Sequence, residues 1–231
     1  MAHAKEYSIE TMLSKAWRLY RDNFSLILAI VLIVYIPINI VLGMLPMDNS
    51  QEGFRLYAGM AQLLEGIFGI ISTMAIAFVV KYKLDDKKID WQKAIEKSFS
   101  RWWPAIWTNL FVGILLIALF ILLIVPGVIF AIYWAFVIYV VALFGKSGKE
   151  AMDRSKAIVK GRWWKVFLYN IIFGILILLV VGILSLFTMI SDSYIFVLIV
   201  DTAMDVAGAY FIVLWTIFFL NFDQTKLIKN K

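Results

Sequence analysis

The chain contains no cysteine and a single histidine, His3. Without cysteine there are no disulfides, no thiolate nucleophile and no Cys-based metal site. His3 lies in an N-terminal tail expected to fray, so the usual general base and commonest metal ligand is missing from any core site. Charged residues are also scarce, at 16% of 231 residues, whereas 63% are hydrophobic. A soluble domain is typically about 45–50% apolar. The excess falls in long runs instead of alternating, which makes lipid the expected solvent. No Gly-rich phosphate loop, metal-ligand cluster or dinucleotide fingerprint occurs. A secretory signal peptide is not expected, because the first apolar run, 24–45, is too long and lacks a small-residue cleavage site.

What is present is hydrophobic length. A helix needs about 20 apolar residues to cross about 30 Å of hydrocarbon. Runs at 24–45 (kinked at Pro37), within 57–80, at 104–125, at 128–144 and at 164–187 meet this. A sixth ends near Leu220 and starts somewhere between 194 and 207. Pro126-Gly127 interrupts a stretch too long for one crossing and predicts a tight outer hairpin. With the N-terminus cytoplasmic, only Arg55 of the 22 Lys and Arg residues falls outside. This is the positive-inside pattern, and it predicts a multi-pass cell-membrane protein, of prokaryotic plasma-membrane type, with both termini cytoplasmic. The outer loops, 46–56, the Pro-Gly turn and 188–193, are short; the inner ones, 81–103 and 145–163, are longer and basic. The net charge of +6 is divided among short inner segments, which fits anionic inner-leaflet lipid and not nucleic acid. Trp17, Trp91, Trp102, Trp103, Trp163 and Trp164 gather at the inner boundary, where an indole can keep one edge wet.

Three inner segments share a pattern of two apolar residues, a polar one, a base and a small one. They are Met12-Leu13-Ser14-Lys15-Ala16, Ala94-Ile95-Glu96-Lys97-Ser98 and Ala151-Met152-Asp153-Arg154-Ser155. Each precedes an odd-numbered span. Ile9, Met12, Leu13, Ala16, Trp17 and Tyr20 have the offsets of one helix face, as do Trp91, Ala94, Ile95, Ser98, Phe99 and Trp102. The third copy is looser, with Lys156 in the stripe and Gly161 as its stop signal. The expected architecture is an all-α integral membrane protein forming a single domain over 1–231. It has six transmembrane helices and three cytoplasmic-side interfacial amphipathic helices. These form a pseudo-threefold helix-plus-hairpin repeat, with units at about 8–80, 89–145 and 148–222.

Ile124-Val125-Pro126-Gly127-Val128-Ile129, the run from Gly148 to Ser155, and Lys160-Gly161-Arg162-Trp163-Trp164 resemble the membrane domain of the glycerophosphoryl diester phosphodiesterase family and related six-span prokaryotic membrane proteins of uncharacterised function. So do the opening Ala16-Trp17-Arg18-Leu19-Tyr20-Arg21-Asp22-Asn23-Phe24 with Ile36-Pro37, and the ending Phe219-Leu220-Asn221-Phe222-Asp223. The resemblance covers almost the whole chain. In the named enzymes it implies that catalysis belongs to a separate soluble barrel using His, Arg and Glu with a metal. No such barrel is encoded here, and no catalytic residue carries over.

The candidate site residues fall into two groups. Glu65, Asp201 and Asp205 lie at or near membrane depth toward the outer side, with Asp201 and Asp205 four apart on one helical face. Ionisable groups in lipid are costly and mark candidate ion, proton or transport sites; in a shifted register all three would instead sit in the outer headgroup layer. Lys97, Arg101, Trp102, Trp103, Arg154, Lys160, Arg162, Trp163 and Trp164 form the candidate contact set for anionic lipid or a protein partner. Ser98 and Ser155 read as small packing residues, since nothing nearby could activate them as nucleophiles. The expected function is a non-enzymatic, lipid-engaging or partner-binding membrane scaffold or accessory module, without cofactor or metal. The alternative is a small transporter or export accessory for ions, lipids or peptides that uses the outward acids. The expected partners are membrane lipids, a protein partner or a second copy of the chain.

Overall fold

A computed structural model describes residues 6–45, 51–191 and 193–229, without the side chains of Gln51, Phe54 and 224–229. His3, the 46–50 part of the outer loop and Lys231 lie outside the described residues. Among the described residues there is no strand. The helices are α1 (Ile9–Asp22), α2 (Phe24–Gly43), α3 (Gln51–Leu64), α4 (Ile70–Leu84), α5 (Trp91–Leu122), α6 (Ile124–Tyr133), α7 (Val137–Phe144), α8 (Gly148–Val159), α9 (Trp163–Ser185) and α10 (Tyr194–Lys229). A π-helical turn, Glu65–Gly69, joins α3 to α4, and a 3-10 turn, Leu186–Met189, follows α9. Six helical stretches are long and apolar enough to cross a membrane: Phe24–Gly43, Arg55–Leu84, Trp91–Leu122, Ile124–Phe144, Trp163–Met189 and Tyr194–Asp223.

Three boundaries differ from the sequence expectation, and the sixth span starts inside the window expected for it. The middle basic segment and the third span form one helix, α5, that runs through Pro104. Proline removes one backbone bond, but in a long membrane helix the remaining bonds hold and the helix continues. The turn before the fourth span is at Leu123, whose φ of −156° and ψ of 122° are extended; Pro126-Gly127 is not the turn. Pro126 lies in the first turn of α6, where its missing N–H leaves nothing unpaired. Gly127 is needed for space, since a Cβ there would lie 2.6 Å from the Phe120 ring. The fourth span is itself broken at Trp134–Phe136. Finally, α10 starts at Tyr194, the early end of the expected window.

The second helix of each consecutive pair is the more buried. The buried share is 56% against 33% for the first pair, 44% against 17% for the second, and 28% against 6% for the third. So α4, α7 and α10 form the centre, and α2, α5 and α9 present much of their surface outward. The centre is aromatic. The Phe136 ring lies 5.1 Å from Phe218 and 5.6 Å from Phe219, and Tyr169 lies 5.2 Å from Phe218. Phe136, Phe173, Phe218, Phe219 and Phe222 are fully buried. With no hydrophobic drive between helices in lipid, this close packing is what holds them together.

At the basic end the three motif segments are fastened to the bundle. Their first and fifth residues, Met12 and Ala16, Ala94 and Ser98, Ala151 and Ser155, are all fully buried. The segments pack along the central helices: α1 runs antiparallel to α10, with Tyr7 beside Asn221, Leu13 beside Tyr210 and Tyr20 beside Val206, the start of α5 packs on α4, and α8 on α7. Ser8 caps α1 by accepting from the Thr11 N–H at 3.2 Å, and Asp90 caps α5 by accepting from the Lys93 N–H at 2.7 Å. The Tyr20 hydroxyl donates to the Val206 carbonyl at 2.8 Å, which ties α1 to α10.

Candidate functional site

The three acids lie on α10 and on the π turn between α3 and α4. Because α10 is continuous from Tyr194, Asp201 and Asp205 lie one turn apart on it, half-buried. Asn39 of α2, itself buried, donates from Nδ2 to Asp205 Oδ2 at 2.8 Å. Glu65 opens the π turn at the junction of α3 and α4. Its charge acts on both Asp201 and Asp205, and the Tyr35 and Tyr57 hydroxyls lie in the same field. Glu65 is sixteen residues along the helix from Lys81, or about 24 Å at 1.5 Å per residue. Asp205 is eighteen residues, or about 27 Å, from Asp223.

Among the described residues no basic side chain forms an ion pair with any of these acids. Nor does any His, Cys, Asp or Glu cluster among them converge tightly enough to hold a metal ion. One more polar group borders the acids. Ser72 Oγ is fully buried close to the Tyr35 hydroxyl. The Tyr35 hydroxyl fits there because Gly69 lacks a side chain, its absent Cβ lying only 3.1 Å away.

At the basic end, several expected lipid contacts turn inward. Arg101 donates to the Val141 and Ala142 carbonyls at the end of α7, and its guanidinium lies 5.4 Å from the Phe78 ring centre. Arg154 pairs with Asp223 and lies 5.5 Å from the Phe144 ring centre. Arg162 donates to the Phe222 carbonyl at 2.7 Å, pairs with Glu6 at 2.8 Å and lies 4.4 Å from the Phe222 ring. Trp102 donates its indole N–H to the Ile67 carbonyl at 2.7 Å, and Trp163 donates to Ile129 at 3.1 Å. The Lys97 ammonium lies 5.8 Å from the Tyr82 ring. Lys160, Trp103 and Trp164 face outward. Trp17, Trp103 and Trp164 are 55%, 60% and 75% exposed, and the cations Arg18, Lys93 and Lys149 are exposed as well.

Sequence reasoning missed three participants. Glu6 bridges Arg162 and Lys165 at 2.8 and 2.5 Å. Burial opposes ionisation of its carboxyl, but the hydrogen bonds and charges of Lys165 and Arg162 prevail and hold it below its ordinary range. Asp223 receives Arg154. Ser155 repairs the break in the fourth span: its Oγ donates to the Tyr133 carbonyl at 2.7 Å and accepts from the Phe136 N–H at 3.2 Å. Glu6 and Asp223 lie more than 65 residues from their arginines, so no local spacing marks them. Ser155 could have been found only by knowing where the fourth span breaks.

These features define an all-helical protein of the multi-pass membrane class, with six helices long and apolar enough to span a bilayer. Comparison with protein-family models, curated proteins and solved structures finds no match to this chain.

Proposed function

We propose that the protein is a non-enzymatic membrane module whose basic end lies at the cytoplasmic leaflet and engages anionic headgroups or a partner seated there. The observation that carries this reading is the exposure of Trp103 and Trp164 together with that of the cations Lys88, Lys93 and Lys149. Indoles settle at the headgroup layer, and each nearby cation adds roughly 1 kcal/mol of attraction to anionic lipid. Placing this end in the cytoplasm follows from the distribution of Lys and Arg and puts both termini there, in a cell membrane. The shared motif and the seating of α1, the start of α5 and α8 on α10, α4 and α7 favour a threefold helix-plus-hairpin repeat. In that repeat the interfacial helices bury one face in protein and turn the other to the headgroups. The resemblance to the glycerophosphoryl diester phosphodiesterase membrane domain agrees with a non-catalytic role for these helices, since in those enzymes catalysis belongs to a separate soluble barrel.

The test neutralises Arg18, Lys88, Lys93 and Lys149 together to glutamine and measures the preference of the reconstituted protein for phosphatidylglycerol over phosphatidylcholine. At roughly 1 kcal/mol per cation, the preference should fall at least tenfold. An unchanged preference would count against the reading. Arg101, Arg154 and Arg162 are unsuitable for this purpose, because their loss would disturb packing. A second reading, a small transporter or export accessory, is favoured by Glu65, Asp201 and Asp205, which form no ion pair with a basic side chain among the described residues.

A further inference from the structure

We infer that Arg162 and Lys165 form a binding site for a phosphate group at the turn between α8 and α9, and that Glu6 occupies it as an intramolecular stand-in. This extends the first reading above from a general attraction to one site. Glu6 comes from the segment before α1, 156 residues away in sequence from Arg162. Its two oxygens meet different cations: Arg162 Nη1 donates to Oε1 at 2.8 Å, and Lys165 Nζ donates to Oε2 at 2.5 Å. An anion is therefore already seated on the pair. A phosphate presents oxygens at a similar spacing and has more of them, so it can take both cations and still turn an oxygen or an ester link outward.

The room for it lies beside the pair. A groove of about 490 Å³ is lined by Gly161, Arg162, Trp163, Trp164 and Lys165. A side chain on Gly161 would meet nothing within 4 Å there. Arg162 is also held by groups other than Glu6. It donates to the Ile158 and Phe222 carbonyls at 3.0 and 2.7 Å, and its guanidinium lies 4.4 Å from the Phe222 ring. A guanidinium fixed in this way keeps its place when the carboxylate leaves, and little side-chain freedom is lost when another anion arrives. Glu6 precedes Ser8, the cap of α1, so it can swing away without opening a helical turn. A tethered carboxylate competes at an effective concentration of the order of millimolar, which an external phosphate must overcome. Trp164, 75% exposed, flanks the groove, and Phe222 is the last but one residue of the sixth apolar stretch. The phosphate can come from a lipid headgroup at the membrane edge or from free phosphate.

The test is equilibrium binding of radiolabelled inorganic phosphate to the full chain in phosphatidylcholine nanodiscs. Glu6→Gln is expected to bind saturably and about tenfold more tightly than the parent. Glu6→Gln with Lys165→Gln should lose that gain. Glu10→Gln removes the same charge from an exposed position on α1 and should leave binding as in the parent. Phosphate should also raise the unfolding midpoint of Glu6→Gln more than that of the parent. Glu6→Asp, which keeps the charge and shortens its reach, should bind at an intermediate level and serves if Glu6→Gln does not fold. Competition by added phosphatidylglycerol beyond that of an equally charged sulfonate lipid identifies the headgroup as the source; equal competition identifies free phosphate. No saturable binding by the Glu6 variants, an equal gain in Glu10→Gln, or binding that survives Lys165→Gln would overturn the inference. Failure here with loss of phosphatidylglycerol preference in the fourfold lysine and arginine variant overturns the site and leaves the first reading standing. Phosphate binding by Glu6→Gln with that preference unchanged does the reverse.

Discussion

Replacing Ser155 by alanine removes the hydroxyl that closes the break between α6 and α7. Its Oγ donates to the Tyr133 carbonyl and accepts from the Phe136 N–H, and the residue is fully buried. Water cannot substitute without a cavity, so both backbone groups would be orphaned. Hydrogen bonds between membrane helices are worth roughly 0.6–1.7 kcal/mol each, so losing two costs about 1–3 kcal/mol. Ser98 provides an internal control. It holds the same place in its motif copy and is equally buried, but its Oγ donates at 2.8 Å only to the Ala94 carbonyl, which already serves its own helix. Ser98→Ala should therefore cost no more than about 0.5 kcal/mol. The assay is reversible unfolding in bicelles, comparing both variants with the parent chain. A Ser155→Ala cost equal to that of Ser98→Ala would refute the claim that Ser155 supports the break.

Glu6→Gln should destabilise the protein at neutral pH by about 1–2 kcal/mol, between the value of a surface pair and the cost of breaking a buried one. Because the Glu6 carboxyl is held below its ordinary value of 4.5, its contribution is present above that pH and is lost as pH falls through the lower folded value. Unfolding midpoints from pH 7 to pH 3 should thus fall more steeply for the parent than for Glu6→Gln, and parallel curves would argue against the bridge. Gly127→Ala should cost about 1–3 kcal/mol, because its methyl would enter the Phe120 ring, and Phe120→Ala in the same chain should recover much of it. Pro126→Ala should stay within about 0.5 kcal/mol, since the proline occupies a first helical turn; a larger loss would restore the proline as the determinant of the turn. Asp85→Cys and Lys149→Cys place single thiols in a chain that has none. Neither should react with an impermeant maleimide on intact cells, and labelling from outside would invert the proposed orientation.

The resemblance between the motif copies was readable because burial every fourth residue leaves a trace in residue type: Met12, Ala16, Ala94, Ser98, Ala151 and Ser155 are small or flexible enough to sit against another helix. Their separate fates were not readable, since whether a segment breaks from its span depends on what fills the gap. Asn23 parts α1 from α2, whereas nothing parts the two halves of α5. The acids were visible as charges in apolar runs. That Asp201 and Asp205 share one continuous helix, with Asn39 of α2 bonded to Asp205, became visible only in the tertiary structure.

Composition alone determined that this chain dissolves in lipid as long helices, because each run's length and apolarity are properties of consecutive residues and need no partner. It also determined which end is basic, since charge is additive along the chain. Tertiary structure decided which cations remain available and which are consumed. Arg101, Arg154 and Arg162 meet the carbonyls, Asp223 and Glu6 of distant segments, and a pairing between remote residues depends on how the helices pack and leaves no periodic mark in sequence.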